Sequence, residues 1–124
     1  MLAAADASPD AEVCGLLLGT SERVNQVLSC ANVAGDPRRT FEIDPVALFA
    51  AMRAERGGGP CVIGYWHSHP SGDINPSVTD AASAAPDGKV WVIVSGDRIS
   101  AWRAEPGSGV ATTRFSPLRL VETE

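Results

Sequence analysis

The stretch CVIGYWHSHPSGDINPSVTD, residues 61–80, contains both histidines of the 124-residue chain. It opens with an apolar, β-prone run after a glycine-rich turn, which predicts a strand that ends at Pro70. Gly, Asp, Asn and Pro residues then form a loop. A short helix is predicted from Ser77 to Ala85, with Asp80 in its first turn. The stretch therefore predicts a strand, a loop and a helix start in close succession.

The two histidines are spaced so that one strand would present both imidazoles on the same face. Side chains at i and i+2 of a strand project together, so His67 and His69 share a face while Ser68 points to the other. The carboxylate of Asp80 can join them as a third ligand. Two imidazoles and one carboxylate leave a tetrahedral position open for water, which is typical of a catalytic zinc site. We therefore predict one Zn²⁺ per chain, which would lower the pKa of its bound water to about 7.

Two further residues fit hydrolytic chemistry at such a site. A zinc hydrolase needs a base that takes a proton from water, and Glu12 opens the first apolar strand, where a carboxylate is unusual. The hydroxyl of Ser77 could stabilise the oxyanion of a tetrahedral intermediate.

Each of these residues also has a plain structural interpretation. Glu12 could be a solvated charge at a strand edge, and Ser77 could be a helix N-cap. The histidine pair could belong to an ordinary loop after a strand. Asp73 is a competing carboxylate, but its setting in SGDINP favours an Asx-turn over a metal ligand.

The rest of the chain predicts a mixture of strands and helices. The clearest helix has Asp44 as N-cap, Pro45 at its first position and Gly57 at its end. Its apolar residues recur at helical spacing, which predicts an apolar stripe on one face. The predicted strands are residues 12–19, 23–34, 61–69, 89–96, 98–105 and 109–115, with a hairpin turn at residues 20–22, and a helix is predicted to end within residues 2–7. This order predicts an α+β fold in a single domain, residues 1–124.

Composition narrows the class of protein. Net charge is −5, and the nine arginines and one lysine are scattered, with Arg38–Arg39 the only adjacent pair, so we expect no nucleic-acid partner. No apolar run is long enough to cross a membrane, and the N-terminus lacks the basic region of a signal peptide. Cys14, Cys30 and Cys61 form no CxxC and adjoin apolar segments, which favours buried, reduced thiols and a cytoplasmic protein.

Taken together, these residues resemble the signature of the JAMM (MPN-plus) metallopeptidases. That signature is a Glu, a distant H-x-H, seven residues, a Ser, two residues and an Asp, and the chain matches it with Glu12, His67, His69, Ser77 and Asp80. The flanking stretches PDAEVCGLLLG, TFEIDP, VIGYWHSHP and VIVSGDRISAWR are also similar to the family.

The resemblance implies a fold, a site and a substrate class. The fold would be a curved mixed β-sheet flanked by helices, of the cytidine-deaminase-like type. His67, His69 and Asp80 would hold zinc, Glu12 would serve as general base and acid, and Ser77 would help to stabilise the oxyanion. Compact members of prokaryotic type act on ubiquitin-like sulfur-carrier proteins, so we expect hydrolysis of a peptide or isopeptide bond at a C-terminal Gly-Gly tail, bound extended by strand addition.

Other functions are weaker expectations. The same chemistry could act on a cell-wall or phage-type peptide, but no hydrolase partner domain or export signal is visible in the sequence. A non-catalytic MPN scaffold would typically have lost metal ligands, whereas all are present here. Family members usually begin with a strand and a longer helix before the Glu segment, whereas only about ten residues precede it here, which could loosen the core or leave an exposed edge. The chain also has no room for the insertions that grip ubiquitin chains, so polyubiquitin cleavage is a weaker expectation. Cupins, zinc deaminases and H-E-x-x-H zincins are excluded because the chain lacks a third histidine, a PCxxC segment and an H-E-x-x-H motif.

Overall fold

A computed structural model describes residues 1, 5, 10–20, 23–107 and 113–121 of the chain. Within these residues the elements are β1 (Cys14–Gly19), β2 (Val24–Cys30), α1 (Pro45–Arg56), β3 (Cys61–Ser68), α2 (Val78–Ser83), β4 (Val90–Ser95), β5 (Arg98–Pro106) and β6 (Thr113–Leu118). The strands form one sheet in the order β2-β1-β3-β4-β5-β6. Only β3 and β4 pair in parallel among these strands. The predicted α+β fold with a mixed sheet is confirmed.

Strand β3 lies in the middle of the sheet, where it carries the histidines. It pairs with β1 on one side and with β4 on the other, so that His67 lies opposite both Cys14 and Ile93. The register shifts by one residue between Leu17 and Leu18 of β1, where two residues of β1 face three of β3. Such a bulge changes which face the following side chains occupy.

The two faces of the sheet have separate apolar clusters. One contains Trp66, which is fully buried, together with residues of β1, β4 and β5. The other lies on the face of His67 and contains Leu16 and Cys14. The indole Nε1 of Trp66 donates a hydrogen bond of 2.9 Å to the carbonyl of Leu28. Trp66 is therefore a core residue, as the alternation of the strand predicts.

Helix α1 begins and ends where the sequence predicts, but its apolar stripe is largely exposed. The Asp44 carboxylate accepts from the backbone N–H of Val46, and Gly57 is the C-cap. Val46 is 75% exposed and Phe49 61%, so part of the predicted apolar stripe is not covered by the rest of the described chain. The partly buried side of the helix packs against the cluster around Cys14 through Leu48 and Ala51.

The cysteines differ from one another in burial. Cys14 is buried, Cys30 is half-buried and Cys61 is exposed, and all three are free. The prediction of buried thiols is therefore wrong for Cys61, because this residue is the first of β3 and lies at the end of the sheet.

Several predicted features lie outside the described residues. They are most of the helix at residues 2–7, residues 21–22 of the hairpin turn and the first part of the strand at 109–115. The strands that flank the turn do pair antiparallel. No helix among the described residues has the length and apolar character needed to cross a membrane.

Candidate metal centre

Four buried side chains with metal-binding atoms converge at the end of β3. They belong to Glu12, His67, His69 and Asp80, and one ligand atom from each lies within 4.8 Å of all the others. Glu12 precedes β1, the two histidines lie at and just beyond the end of β3, and Asp80 is in the first turn of α2. All four are at most 6% exposed. The fold thus brings together four of the five residues singled out in the sequence.

Three of the four groups face one another at close range. The Nε2 atoms of His67 and His69 are 2.9 Å apart. Oδ2 of Asp80 lies 3.1 Å from Nε2 of His67 and 3.0 Å from Nε2 of His69. These atoms therefore surround a common point.

The hydrogen bond of His69 to a backbone carbonyl indicates the charge of the ion that this common point can bind. Its Nδ1 lies 2.8 Å from the carbonyl oxygen of Asp73, and only a protonated Nδ1 can donate there. In the neutral ring, Nε2 then presents a lone pair towards the carboxylate of Asp80 and the ring of His67. Lone pairs and a carboxylate that converge in this way repel one another unless a cation lies between them. A metal-bound imidazole usually donates its other ring N–H to a carbonyl or carboxylate, as Nδ1 of His69 does here. The donor set therefore fits a metal ion.

The electrostatics of the centre agree with this geometry. Burial alone would raise the pKa of Asp80, but hydrogen bonds from His67 and His69 outweigh burial and hold that pKa well below its usual range. Burial lowers the pKa of His67. Burial also opposes a charge on His69, but its hydrogen bonds to Asp80 and to the Asp73 carbonyl prevail and raise its pKa. The carboxylate thus stays ionised and draws positive charge to the centre.

Glu12 is the least engaged member of the cluster. Burial raises the pKa of its carboxyl group to about 7. Its Oε1 has no hydrogen-bond partner among the described residues. The backbone holds the residue in place, because its N–H donates to the carbonyl of Pro37 (2.7 Å) and its carbonyl accepts from Nδ2 of Asn32 (2.9 Å). A fixed, buried carboxylate with a free oxygen is suited to exchanging protons with a ligand.

Ser77 orients Asp80 and lies beside the cluster. Its hydroxyl accepts from the backbone N–H of Asp80 at 3.0 Å, and its own N–H donates to Oδ2 of Asp80 at 2.9 Å. This is a capping box, with Asp80 at the third helical position. The N-cap interpretation of Ser77 is therefore correct. The hydroxyl proton is not used by this cap.

Aromatic packing around His67 was not predicted from the sequence. The ring of Phe41 stacks on His67 with centroids 4.4 Å apart, and Trp91 meets His67 edge-on at 5.6 Å. Nδ1 of His67 has no hydrogen-bond partner among the described residues.

Asp73 is exposed, and its carboxylate accepts from the N–H of Asn75 at 2.9 Å, which is the Asx-turn that its sequence favours.

Two cavities are lined by residues of the centre or by residues that contact it. A cavity of about 830 Å³ is lined by apolar and aromatic side chains that include Phe41, Phe49, Tyr65 and Trp91. A smaller cavity of about 250 Å³ is lined mostly by polar and charged residues, which include Glu12, His69, Ser77, Arg38 and Arg39. Clefts of this kind are where proteins bind small molecules and extended segments.

The chain is similar to proteins of one family. The profile described as "Prokaryotic homologs of the JAB domain" matches residues 1–105. A desampylase of Haloferax volcanii is 40% identical over 91 residues, which cover 72% of this chain and 66% of the relative. A probable TtuB-protein conjugate cleaving protease of Thermus thermophilus is 36% identical over 73 residues, which cover 59% of this chain and 49% of the relative. The match to these two relatives therefore spans less than two thirds of their lengths.

A solved structure shares the fold. A JAB1/MPN domain protein from Archaeoglobus fulgidus superposes with a TM-score of 0.53 at 23% identity, covering 82% of this chain and 79% of that one. The predicted JAMM/MPN architecture is thereby confirmed.

Proposed function

The chain belongs to the prokaryotic JAB (JAMM/MPN) family, and from that membership we propose that it is a zinc metallopeptidase. The substrate we propose is an amide bond at the C-terminal Gly-Gly tail of a ubiquitin-like sulfur-carrier protein, cleaved in the cytoplasm by a single domain of residues 1–124. The relatives named desampylase and conjugate cleaving protease support this substrate class. The observation that carries the proposal is the buried convergence of Glu12, His67, His69 and Asp80.

In this proposal His67, His69 and Asp80 hold one zinc ion. Two imidazoles and one carboxylate suit zinc, and such a set leaves a coordination position free for catalysis. A zinc ion bound there supplies Lewis acidity, which polarises a carbonyl group and eases the ionisation of water. The contact from His69 Nδ1 to the Asp73 carbonyl keeps Nε2 directed at the centre.

Glu12 is the proton carrier in this proposal. Its carboxylate accepts a proton from the attacking water and donates it to the leaving amine. A general base works best when its pKa is near the working pH, and burial raises the pKa of Glu12 to about 7. Its Oε1 lacks a partner among the described residues, so this oxygen can meet a substrate or water without breaking a protein hydrogen bond.

Ser77 stabilises the oxyanion, and the large cavity receives the carrier tail. The Ser77 hydroxyl accepts from Asp80 N–H, which leaves its proton free to donate to the developing negative oxygen. The large cavity lies against His67 through Phe41 and has an apolar, aromatic lining. Glycines at the end of the tail allow its backbone to approach the centre closely, because they have no side chains.

The test compares wild type, Glu12→Gln and Asp80→Ala for zinc content and for hydrolysis. The substrates are the Gly-Gly-ending ubiquitin-like proteins encoded in the same genome, each joined through its last glycine to an amine. We expect about one zinc per chain in wild type and in Glu12→Gln, and loss of zinc in Asp80→Ala. Hydrolysis should fall by about 10³-fold or more in Glu12→Gln, since a general base and acid is removed.

Three results would contradict the proposal. Zinc lost from Glu12→Gln would make Glu12 a ligand instead of a proton carrier. Zinc retained at full stoichiometry in Asp80→Ala would disprove the assigned site. A wild-type protein that binds no zinc after reconstitution would indicate a non-catalytic scaffold, for which capture of protein partners is the next measurement.

A further inference from the structure

The side-chain amide of Asn32 joins two segments that reach the metal centre, and it has no part in the proposed chemistry. Asn32 lies just beyond the end of β2 and is half-buried. Its Nδ2 donates to the carbonyl of Glu12 at 2.9 Å and to the carbonyl of Thr40 at 3.1 Å. Its Oδ1 accepts from the N–H of Ala34 at 3.1 Å and from the N–H of Glu42 at 3.0 Å. These four hydrogen bonds use every donor and acceptor of the amide.

The four partners require an amide at this position. Nδ2 faces two carbonyls and Oδ1 faces two N–H groups, so the two ends of the side chain cannot be exchanged. An ionised Asp has the same shape but only acceptors, so one of its oxygens would face the carbonyls of Glu12 and Thr40 without a proton. Ala would leave all four backbone groups without their side-chain partner. The amide is thus matched to the two segments that it joins.

The first of these segments carries the proposed proton carrier, Glu12. The carbonyl of Glu12 accepts from Asn32, and its N–H donates to the carbonyl of Pro37 at 2.7 Å. The carboxyl group itself has an oxygen, Oε1, without a hydrogen-bond partner among the described residues. The place of this carboxyl group therefore depends on how its backbone is held, and Asn32 is one of the two groups that hold it.

The second segment carries the aromatic ring that covers His67. Thr40 and Glu42, which both bond to Asn32, flank Phe41 in the sequence. The ring of Phe41 stacks on His67 with centroids 4.4 Å apart and an angle of 22° between the ring planes. A metal-bound imidazole usually takes its orientation from a hydrogen bond at its other nitrogen, but Nδ1 of His67 has no such partner in the described part of the chain. Packing by Phe41 therefore orients this imidazole.

We infer that Asn32 is a positioning residue of the metal centre, whose amide holds Glu12 and, through Phe41, the imidazole of His67 in the relative places that the reaction requires. This inference rests on the proposed function and adds to it a residue outside the ligands and the proton carrier. Misplacement of a reacting group by about 1 Å can cost about 100-fold in rate. Loss of a residue that orients a metal ligand typically costs about 10- to 100-fold in metal affinity or activity. Because one amide bonds to both segments, the two placements depend on each other.

The test compares wild type with Asn32→Asp and Asn32→Ala, and Asn25→Asp is the matched control. Asn25 is an exposed residue of β2, so its substitution adds the same charge as Asn32→Asp. The measurements are zinc affinity against a competing chelator, the visible absorption of bound Co²⁺, and kcat for a carrier joined through its last glycine to an amine. All are made at a temperature at which unfolding curves show each variant to be folded.

We expect both Asn32 variants to lower kcat and to raise the Kd for zinc, each by about tenfold or more. The absorption bands of Co²⁺ should change in position and intensity, because His67 would meet the ion at a different angle. Asn25→Asp should match wild type in all three measurements.

A second pair of variants tests the path through Phe41. Phe41→Leu keeps the backbone partners of Asn32 but removes the stacked ring, whereas Phe115→Leu removes a ring that packs on Trp91 with centroids 5.2 Å apart. We expect Phe41→Leu to change the Co²⁺ bands and to raise the Kd for zinc by about tenfold, and Phe115→Leu to leave both unchanged. If neither Asn32 variant folds, this pair decides the inference, since wild-type zinc affinity in Phe41→Leu would overturn it.

The metal measurements separate this inference from the proposed function. A changed zinc affinity and Co²⁺ spectrum in the Asn32 variants, with Asn25→Asp unchanged, support the inference even if wild type cleaves no carrier and the proposed function fails. A wild-type kcat and Co²⁺ spectrum in folded Asn32→Asp would overturn the inference, while cleavage by wild type would still support the proposed function. A loss of activity that follows only the folded fraction, with an unchanged spectrum, would show a merely structural role for Asn32 and would also overturn the inference.

Discussion

Ser77 makes two backbone hydrogen bonds with Asp80, so its structural and its proposed catalytic roles must be separated by the choice of substitution. Ser77→Ala removes both the cap and the hydroxyl and should lower the free energy of unfolding by about 1 kcal/mol. Ser77→Gly also removes the hydroxyl but should lower the free energy of unfolding by only a few tenths of a kcal/mol. We expect both variants to lose about 10²-fold in kcat, as for the removal of one oxyanion donor.

The measurements are thermal unfolding and steady-state hydrolysis of the carrier adduct, with Ser77→Thr as the control that keeps a hydroxyl. Ser77→Thr should retain both the stability and most of the activity. Wild-type activity in Ser77→Gly would show that Ser77 acts only as a cap. A loss of activity that follows stability across the three variants would lead to the same conclusion.

Close approach of strand backbones explains a glycine in β1. Gly15 lies opposite Trp66 and Ser29, and a Cβ atom there would collide with Nε1 of Trp66 and with the carbonyl of Leu28, which form a hydrogen bond. Gly15→Ala should therefore lower the free energy of unfolding by about 3 kcal/mol or more, since it overpacks the core and breaks this bond. Denaturant unfolding measures the change, and Gly35→Ala, where a Cβ meets nothing within 4 Å, is the control. Equal stability of the two variants would disprove this account of β1.

The elements and caps were predictable because they depend on neighbours in the sequence. Asp44, Pro45 and Gly57 bound α1 where the pattern places them, and the apolar runs form the strands. The exposed side of α1 was not predictable, because helical periodicity finds an apolar face without showing what covers it. Phe49 follows the spacing of the helix but lies on the large cavity instead of the core.

The residues that cluster at the end of β3 could be named from the sequence, but the side chains and loops that surround them could not. The i, i+2 spacing of His67 and His69 places both imidazoles on one face, as observed. Contacts from the loop at residues 32–41 have no local pattern: Phe41 stacks on His67, and Pro37 holds Glu12. These contacts depend on how the chain returns to the end of β3, which only the folded structure shows.

At the scale of the whole molecule, the centre draws its groups from three separate parts of the chain. The antiparallel β1 brings Glu12 to the end of β3, and the crossover from β3 to the parallel β4 passes through α2, which supplies Asp80. Buried groups of this kind oppose folding unless they are neutralised by partners or by a metal. A bound ion therefore couples the three parts and should stabilise the entire fold.

Removal of zinc should accordingly lower the Tm of the wild-type protein. A ligand at about a thousand times its Kd adds about 4 kcal/mol to the free energy of unfolding, which corresponds to a Tm shift of roughly 10 °C or more for a domain of this size. The measurement is thermal unfolding before and after dialysis against a chelator, and after zinc is restored. Asp80→Ala is the control, because it lacks one of the three proposed ligands and should unfold at one temperature under all three conditions. A wild-type Tm that does not change while one zinc per chain is lost would mean that the ion binds away from Glu12, His67, His69 and Asp80.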